Sequence, residues 1–189
     1  FLTGTRGCGK TSLLHQYAIQ AQKARWDVIE ATGSDALDQL IHYVGLDART
    51  NKSRTLSPSL TIGGVASASL GEVSSAFETI QPASLLGECL CQRLSHLKFK
   101  EGLFVIVDEA QKIEQDDIVR ISNAIQQAKT AGKEIGLVLG GLPQTYPRIR
   151  SFKGCTFVRR MERQRLWCMS VSETIGFLMS TFAQVPEIG

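Results

Sequence analysis

Eight residues near the amino end, Gly4-Thr5-Arg6-Gly7-Cys8-Gly9-Lys10-Thr11, constrain this chain more than any other stretch. Their pattern is G-x-x-x-x-G-K-[ST], preceded by the apolar pair Phe1-Leu2. Backbone between Gly4 and Gly9 must curl around a phosphate, and residues without a Cβ tolerate both the φ values and the close approach this needs. Bare N–H groups then face the phosphate oxygens. Lys10 would reach the β- and γ-phosphates from the first turn of a following helix, and Thr11 would offer its hydroxyl to Mg²⁺. The pattern therefore predicts a triphosphate cradle, with a ligand-free glycine turn as the alternative.

A motif of this kind requires a strand before it and a helix after it. Leu13, Leu14, Tyr17, Ala18 and Ala21 recur at helical spacing, and no Gly or Pro interrupts the run from Lys10 to Ala24. On the other side only Phe1, Leu2 and Thr3 precede Gly4. A strand of about five residues is usual there, so the native chain is expected to begin earlier and to supply part of a base pocket from upstream.

The second decisive stretch is Leu103-Phe104-Val105-Ile106-Val107-Asp108-Glu109. Five consecutive apolar residues ending in two carboxylates describe a strand buried on both faces, as in a parallel sheet covered by helices. In open α/β sheets ligands lie beyond the carboxyl ends of the strands, which puts Asp108 and Glu109 at the same edge as the glycine loop. Asp108 would hold Mg²⁺ through water, and Glu109 would orient and deprotonate an attacking water. An acidic helix cap is the bland alternative.

The rest of the chain can be placed around these two anchors. Trp26 to Ala31 reads as a second strand, followed by a helix capped by Ser34 with Leu37, Leu40, Ile41 and Val44 on one face and Gly45 as its stop. From Asp47 to about Ser75 the composition shifts to Ser, Thr, Gly, Lys and Arg, which suits an inserted hairpin or a solvated loop. Ser84 is expected to open a helix with the stripe Leu86, Leu90, Leu94 and Leu97. Asp116 or Asp117 would cap another, carrying Ile118, Ile121, Ile125 and Ala128 and ending at Gly132. Ile135 to Leu139 reads as a strand broken by Gly140-Gly141-Leu142-Pro143. Residues 148–165 concentrate seven cationic side chains (Arg148, Arg150, Lys153, Arg159, Arg160, Arg163, Arg165) against Glu162. Ser170 and Glu173 then form a capping box ahead of a last helix.

Composition excludes several other classes. Over 189 residues, 43% hydrophobic and 21% charged side chains match a soluble globular protein with one core. No long apolar run or leader pattern appears, so neither membrane insertion nor export is expected. The five cysteines contain no C-x-x-C pair, and Cys89 and Cys91 would point to different faces of one helix. A reducing cytoplasm without zinc is the resulting expectation. Net charge of +3 is too small to argue for nucleic acid on its own, and His15, His42 and His96 are scattered.

Taken together, the loop Gly4–Thr11, a strand ending in Asp108-Glu109, a strand ending in Gly141-Leu142-Pro143 and the arginines around 159–163 resemble the AAA+ ATPases. Within them the order is similar to bacterial ATPases of the initiator and STAND-like clade. The resemblance implies an α/β fold, a P-loop NTPase of three αβα layers with a mainly parallel five-stranded sheet of order 5-1-4-3-2. It implies a nucleotide-binding domain over residues 1–168 and the start of a truncated helical lid over 169–189. It further implies ATP and Mg²⁺ as ligands, held by Gly4, Thr5, Arg6, Gly7, Cys8, Gly9, Lys10, Thr11 and Ser12, with Thr11 and Asp108 on the metal. Glu109 and Lys10 would be catalytic, and Arg160 or Arg159 would be a finger offered to a neighbouring copy, unless both belong to an ordinary basic turn. A polar sensor expected at the end of the fourth strand is replaced by Gly140-Gly141, so its role either passes to Gln144 or Thr145 or is missing. Self-association and a DNA or protein partner complete what the resemblance implies. The Asn-Lys-x-Asp base reader of Ras-like GTPases and a Leu-Ser-Gly-Gly signature upstream of Asp108 are both absent from the sequence.

Overall fold

The apolar run before Asp108 forms the middle of a parallel sheet. The structure, a computed structural model, describes residues 1–46, 82–97 and 100–183. Its elements in chain order are β1 (Leu2–Thr3), α1 (Lys10–Lys23), β2 (Asp27–Thr32), α2 (Ala36–Tyr43), α3 (Pro82–Ser95), β3 (Leu103–Asp108) and α4 (Gln115–Thr130). β4 (Ile135–Gly141), α5 (Thr145–Ser151), α6 (Thr156–Arg159), β5 (Gln164–Arg165) and α7 (Val171–Phe182) follow. The five strands lie in the order β2-β3-β4-β1-β5, all parallel. This is the expected 5-1-4-3-2 plan of a P-loop NTPase sheet.

Alternation along β3 divides the core. Leu103, Val105 and Val107 are buried in a large cluster with Leu40 of α2, Leu86 and Leu90 of α3, and Ile118, Ile121 and Ile125 of α4. Ile106, pointing the other way, is buried with Leu2, Leu14 and Ala18 under α1. Helices therefore cover both faces. Burying each of these large side chains contributes about 1.5–3 kcal/mol.

Strand register aligns the carboxyl ends that carry the chemistry. Thr32 pairs with Asp108, and Thr3 pairs with both Gly141 and Arg165. All parallel strands thus discharge their last residues at one edge.

Several elements depart from the sequence reading. β4 runs through Gly140 and Gly141 instead of breaking there, because both are ladder partners of β1. α2 is capped at Asp35, not Ser34, since the hydroxyls of Ser34 and Thr32 both donate to the Asp35 carboxylate. The same hydrogen bonds, Thr32 first, hold the Asp35 carboxyl below its ordinary pKa. α4 starts at Gln115 with Glu114 in the cap position, leaving Asp116 and Asp117 inside the first turn, where acids favour the helix dipole. α3 begins at Pro82, ahead of Ser84, and Leu97 lies past its end. β5 and the short helix α6 fall inside the basic run, and α5 enters it from Thr145. The expected insertion at 47–75 lies outside the described residues.

The capping box is present as read: the Ser170 hydroxyl accepts from the Glu173 amide and the Glu173 side chain accepts from the Ser170 amide. α7 leaves Val171, Ile175, Met179 and Phe182 exposed. Among the described residues no helix is long and apolar enough to cross a membrane.

Candidate nucleotide and metal site

Two kinds of glycine shape the loop between β1 and α1. Gly7 and Gly9 adopt φ values of 77° and 88°, which a side chain would strain even though open space surrounds both. Gly4 is needed for room: a Cβ there would stand 2.5 Å from Cys8 Sγ and 2.7 Å from the Leu166 carbonyl. β1 continues into this turn through the Gly4 N–H, which donates to the Gly141 carbonyl at 3.3 Å. The loop is thereby fixed to β4 at one end and to α1 at the other.

Lys10, the first residue of α1, folds back over the loop and donates from Nζ to the Thr5 carbonyl at 2.7 Å. A bound polyphosphate would compete for this ammonium with two charged oxygens against one neutral one. Arg6 is exposed and Cys8 and Lys10 are half-buried, as an accessible cradle requires, while Thr11 and Ser12 are exposed on the first turn of the helix.

Thr11 Oγ1 donates to Asp108 Oδ2 at 2.5 Å. Oδ1 of the same carboxylate accepts from the Glu109 amide at 2.7 Å, so Asp108 is held at both oxygens. Gly140 gives it space, because a Cβ at that position would lie 2.6 Å from Leu14 Cδ1 and 3.3 Å from Asp108 Oδ1. A hydroxyl and a carboxylate together are hard oxygen donors, and Mg²⁺ is usually bound by one or two such groups plus substrate phosphates. The donor set fits that ion. Among the described residues no cluster of three or more His, Cys, Asp or Glu forms a site of another kind.

Among the described residues Glu109 is one of two non-glycine residues at positive φ, 52°. Its carbonyl is capped by the Lys112 amide at 2.8 Å and abuts Gly33, where a Cβ would come within 2.5 Å of it. Its carboxylate pairs with Lys112 Nζ at 3.0 Å, both side chains being about half exposed. Exposed pairs of this type contribute about 0–1 kcal/mol, so the acid is available to a stronger partner.

The remaining candidates separate. Gln144 is exposed, whereas Thr145 is buried and its hydroxyl has no partner among the described residues. Arg159 is committed to carbonyls, donating from Nε to Arg150 O at 3.2 Å and from Nη2 to Phe152 O at 3.5 Å. Arg160 is exposed beside Gln126 and Lys129 at the C-terminal end of α4, which is the sheet edge remote from the loop. Neither arginine reaches its own cradle. Arg148 is likewise spent on the carbonyls of Gln111 and Ile113, so the basic run is not a continuous free face.

Two features of the site go beyond the motif reading: Lys112 beside Glu109, and the segment after β5 against the loop. There Cys168 Sγ lies 3.2 Å from Thr5 Oγ1. An i, i+3 charge pair following the acidic strand was the available signal for Lys112.

A family model described as AAA domain matches residues 1–149. No curated protein matches the sequence. Among solved structures, AMPPCP-bound DnaA from Aquifex aeolicus aligns over 99% of this chain and 45% of its own, at 12% identity and a TM-score of 0.54. Drosophila ORC bound to DNA aligns over 97% and 41%, at 17% identity and a TM-score of 0.57. The Aeropyrum pernix ORC1 protein in complex with DNA aligns over 99% and 44%, at 15% identity and 0.51. At these identities the likeness is one of fold, and the chain spans less than half the length of each structure.

Proposed function

Because the chain belongs to the AAA domain family of P-loop ATPases, we propose that it binds ATP with Mg²⁺ and hydrolyses the γ-phosphate, coupling nucleotide state to self-association or to work on a macromolecule. The contact of Thr11 with Asp108 at 2.5 Å carries this reading, since it joins the two halves of the site. Amides from Gly4 to Ser12 and the Lys10 ammonium would hold the phosphates. Thr11 and Asp108 would hold Mg²⁺, which when bound neutralises charge on the β- and γ-oxygens.

Glu109 takes the proton of the attacking water. To do so it leaves Lys112, a step that costs little at a half-exposed pair. Charge that grows on the γ-phosphate is met by Lys10 and, from a neighbouring copy, by Arg160. Arg160 is the better finger, as the guanidinium of Arg159 already serves two carbonyls. DNA is the macromolecule favoured by the fold likeness, because two of the similar structures are of DNA-bound proteins.

A second reading, a slow nucleotide switch, is supported by one observation. The last two residues of β4 are glycines, so no side chain projects from that strand end toward the phosphates. Turnover would then be slow and the ATP-bound form long-lived.

Glu109→Gln tests hydrolysis directly. The variant is expected to keep ATP affinity while turnover drops by about 10²-fold or more, the usual worth of a general base. Undiminished turnover would place the base elsewhere.

A further inference from the structure

Trp167 is 68% exposed, although an indole is among the side chains most costly to leave in water. It is held next to the phosphate loop by both of its neighbours. The Leu166 amide donates to the Thr3 carbonyl at 2.7 Å, and the Leu166 carbonyl closes over Gly4 at 2.7 Å from its Cβ position. On the other side, Cys168 Sγ touches Thr5 Oγ1 at 3.2 Å. The indole therefore stands beside the first residues of the loop.

One face of that ring is already covered. The Arg165 guanidinium lies 3.7 Å from the ring centroid, the two residues being i and i+2 along an extended segment and so on one side of it. Leu166 between them packs with Leu2, Leu14 and Ala18 on the α1 side of the sheet. A cation on one face polarises the indole and restrains its plane, while the residue as a whole stays 68% exposed. Such an aromatic, backed by a cation, suits a flat heteroaromatic ring, since every base has a π-face that stacks on an aromatic side chain.

We propose that Trp167, backed by Arg165, is the platform on which the base of the bound nucleotide stacks. The inference rests on the nucleotide reading above and assigns the base end of the site to this chain's own residues. Stacking uses the ring face and leaves the hydrogen-bonding edge unread. Trp167 thus supplies affinity for a base as such and little choice among bases.

Base-free inorganic tripolyphosphate separates the platform from the cradle. Titration calorimetry with Mg²⁺ is expected to show Trp167→Ala weakening ATP binding about tenfold, with tripolyphosphate affinity unchanged and Trp167→Phe retaining most of the ATP affinity. In a Trp26→Phe background, where Trp167 is the remaining indole, ATP quenches tryptophan fluorescence saturably and tripolyphosphate does not. Equal ATP affinity in Trp167→Ala and wild type, or equal loss for both ligands, overturns the platform while leaving the cradle intact. Failure of tripolyphosphate to bind the wild-type chain overturns the cradle, and the platform with it.

Discussion

Thr11 and Asp108, 97 positions apart in the chain, share a hydrogen bond of 2.5 Å. Nothing local brings them together. Thr11 is delivered by the start of α1 and Asp108 by the end of β3, and the two meet because β1 and β3 both flank β4 in parallel register. A hydroxyl from a phosphate loop and a carboxylate from a buried strand are thus within reach of one cation.

Removal of the hydroxyl tests that relationship. Thr11→Ala is expected to weaken ATP binding in Mg²⁺ by about 1.5–3 kcal/mol, the worth of a hydrogen bond to a charged group, and to leave binding in excess chelator unchanged. Thr11→Ser should behave as wild type. Calorimetric titrations with and without Mg²⁺ check this, and a loss that is equal in both conditions would remove Thr11 from the metal.

The position of Arg160 leads to a mixing experiment. Arg160→Ala is expected to bind ATP normally and to turn over slowly, by a factor on the order of 10³ if the finger is fully engaged. Glu109→Gln protein, which keeps ATP and loses turnover, carries an intact Arg160 and should restore turnover when mixed with Arg160→Ala. Absence of rescue at concentrations where the wild type self-associates would show that Arg160 does not act between copies. Arg159→Ala should instead lower stability by about 1 kcal/mol, because it frees two carbonyls.

Much of this site is legible in the sequence because its steric demands are local. Gly4, Gly7 and Gly9 are where the backbone allows nothing larger or no other conformation, and the apolar run into Asp108 needs helices on both sides. β5 could not be read in the same way. Gln164 and Arg165 are both exposed, and the strand exists through its ladder to β1 instead of through burial, so no alternation marks it. The cap of α2 lies one residue past Ser34 because Ser34 and Thr32 serve Asp35, a competition among short polar side chains that spacing does not rank. The left-handed turn at Glu109 depends on Gly33, 76 positions upstream by sequence number, and is visible only once β2 and β3 are aligned.

A pH dependence follows from the other end of β2. Tyr43 Oη donates to Asp27 Oδ2 at 3.0 Å, and Asp27 also pairs with Lys100 Nζ at 3.3 Å. Burial first, then the Asp27 hydrogen bond, pushes the Tyr43 phenol well above its ordinary value of 10.0. With the folded pKa raised, folded and unfolded chains are both neutral at Tyr43 below pH 10, and its contribution is fully present there. Above pH 10 the unfolded chain alone ionises, so stability falls as pH rises toward the folded pKa. Tyr43→Phe is expected to flatten this alkaline loss, measured as urea midpoints from pH 8 to 11. An unaltered slope in the variant would assign the loss to other groups.

The most direct test of the site is ATP affinity in Mg²⁺, measured by calorimetry, for the wild-type chain and Lys10→Ala. With the ammonium gone, the β- and γ-phosphates lose their cationic partner, and binding is expected to fall below detection while the fold is retained by circular dichroism. Equal affinity in the two proteins would mean that the loop from Gly4 to Thr11 does not hold a triphosphate.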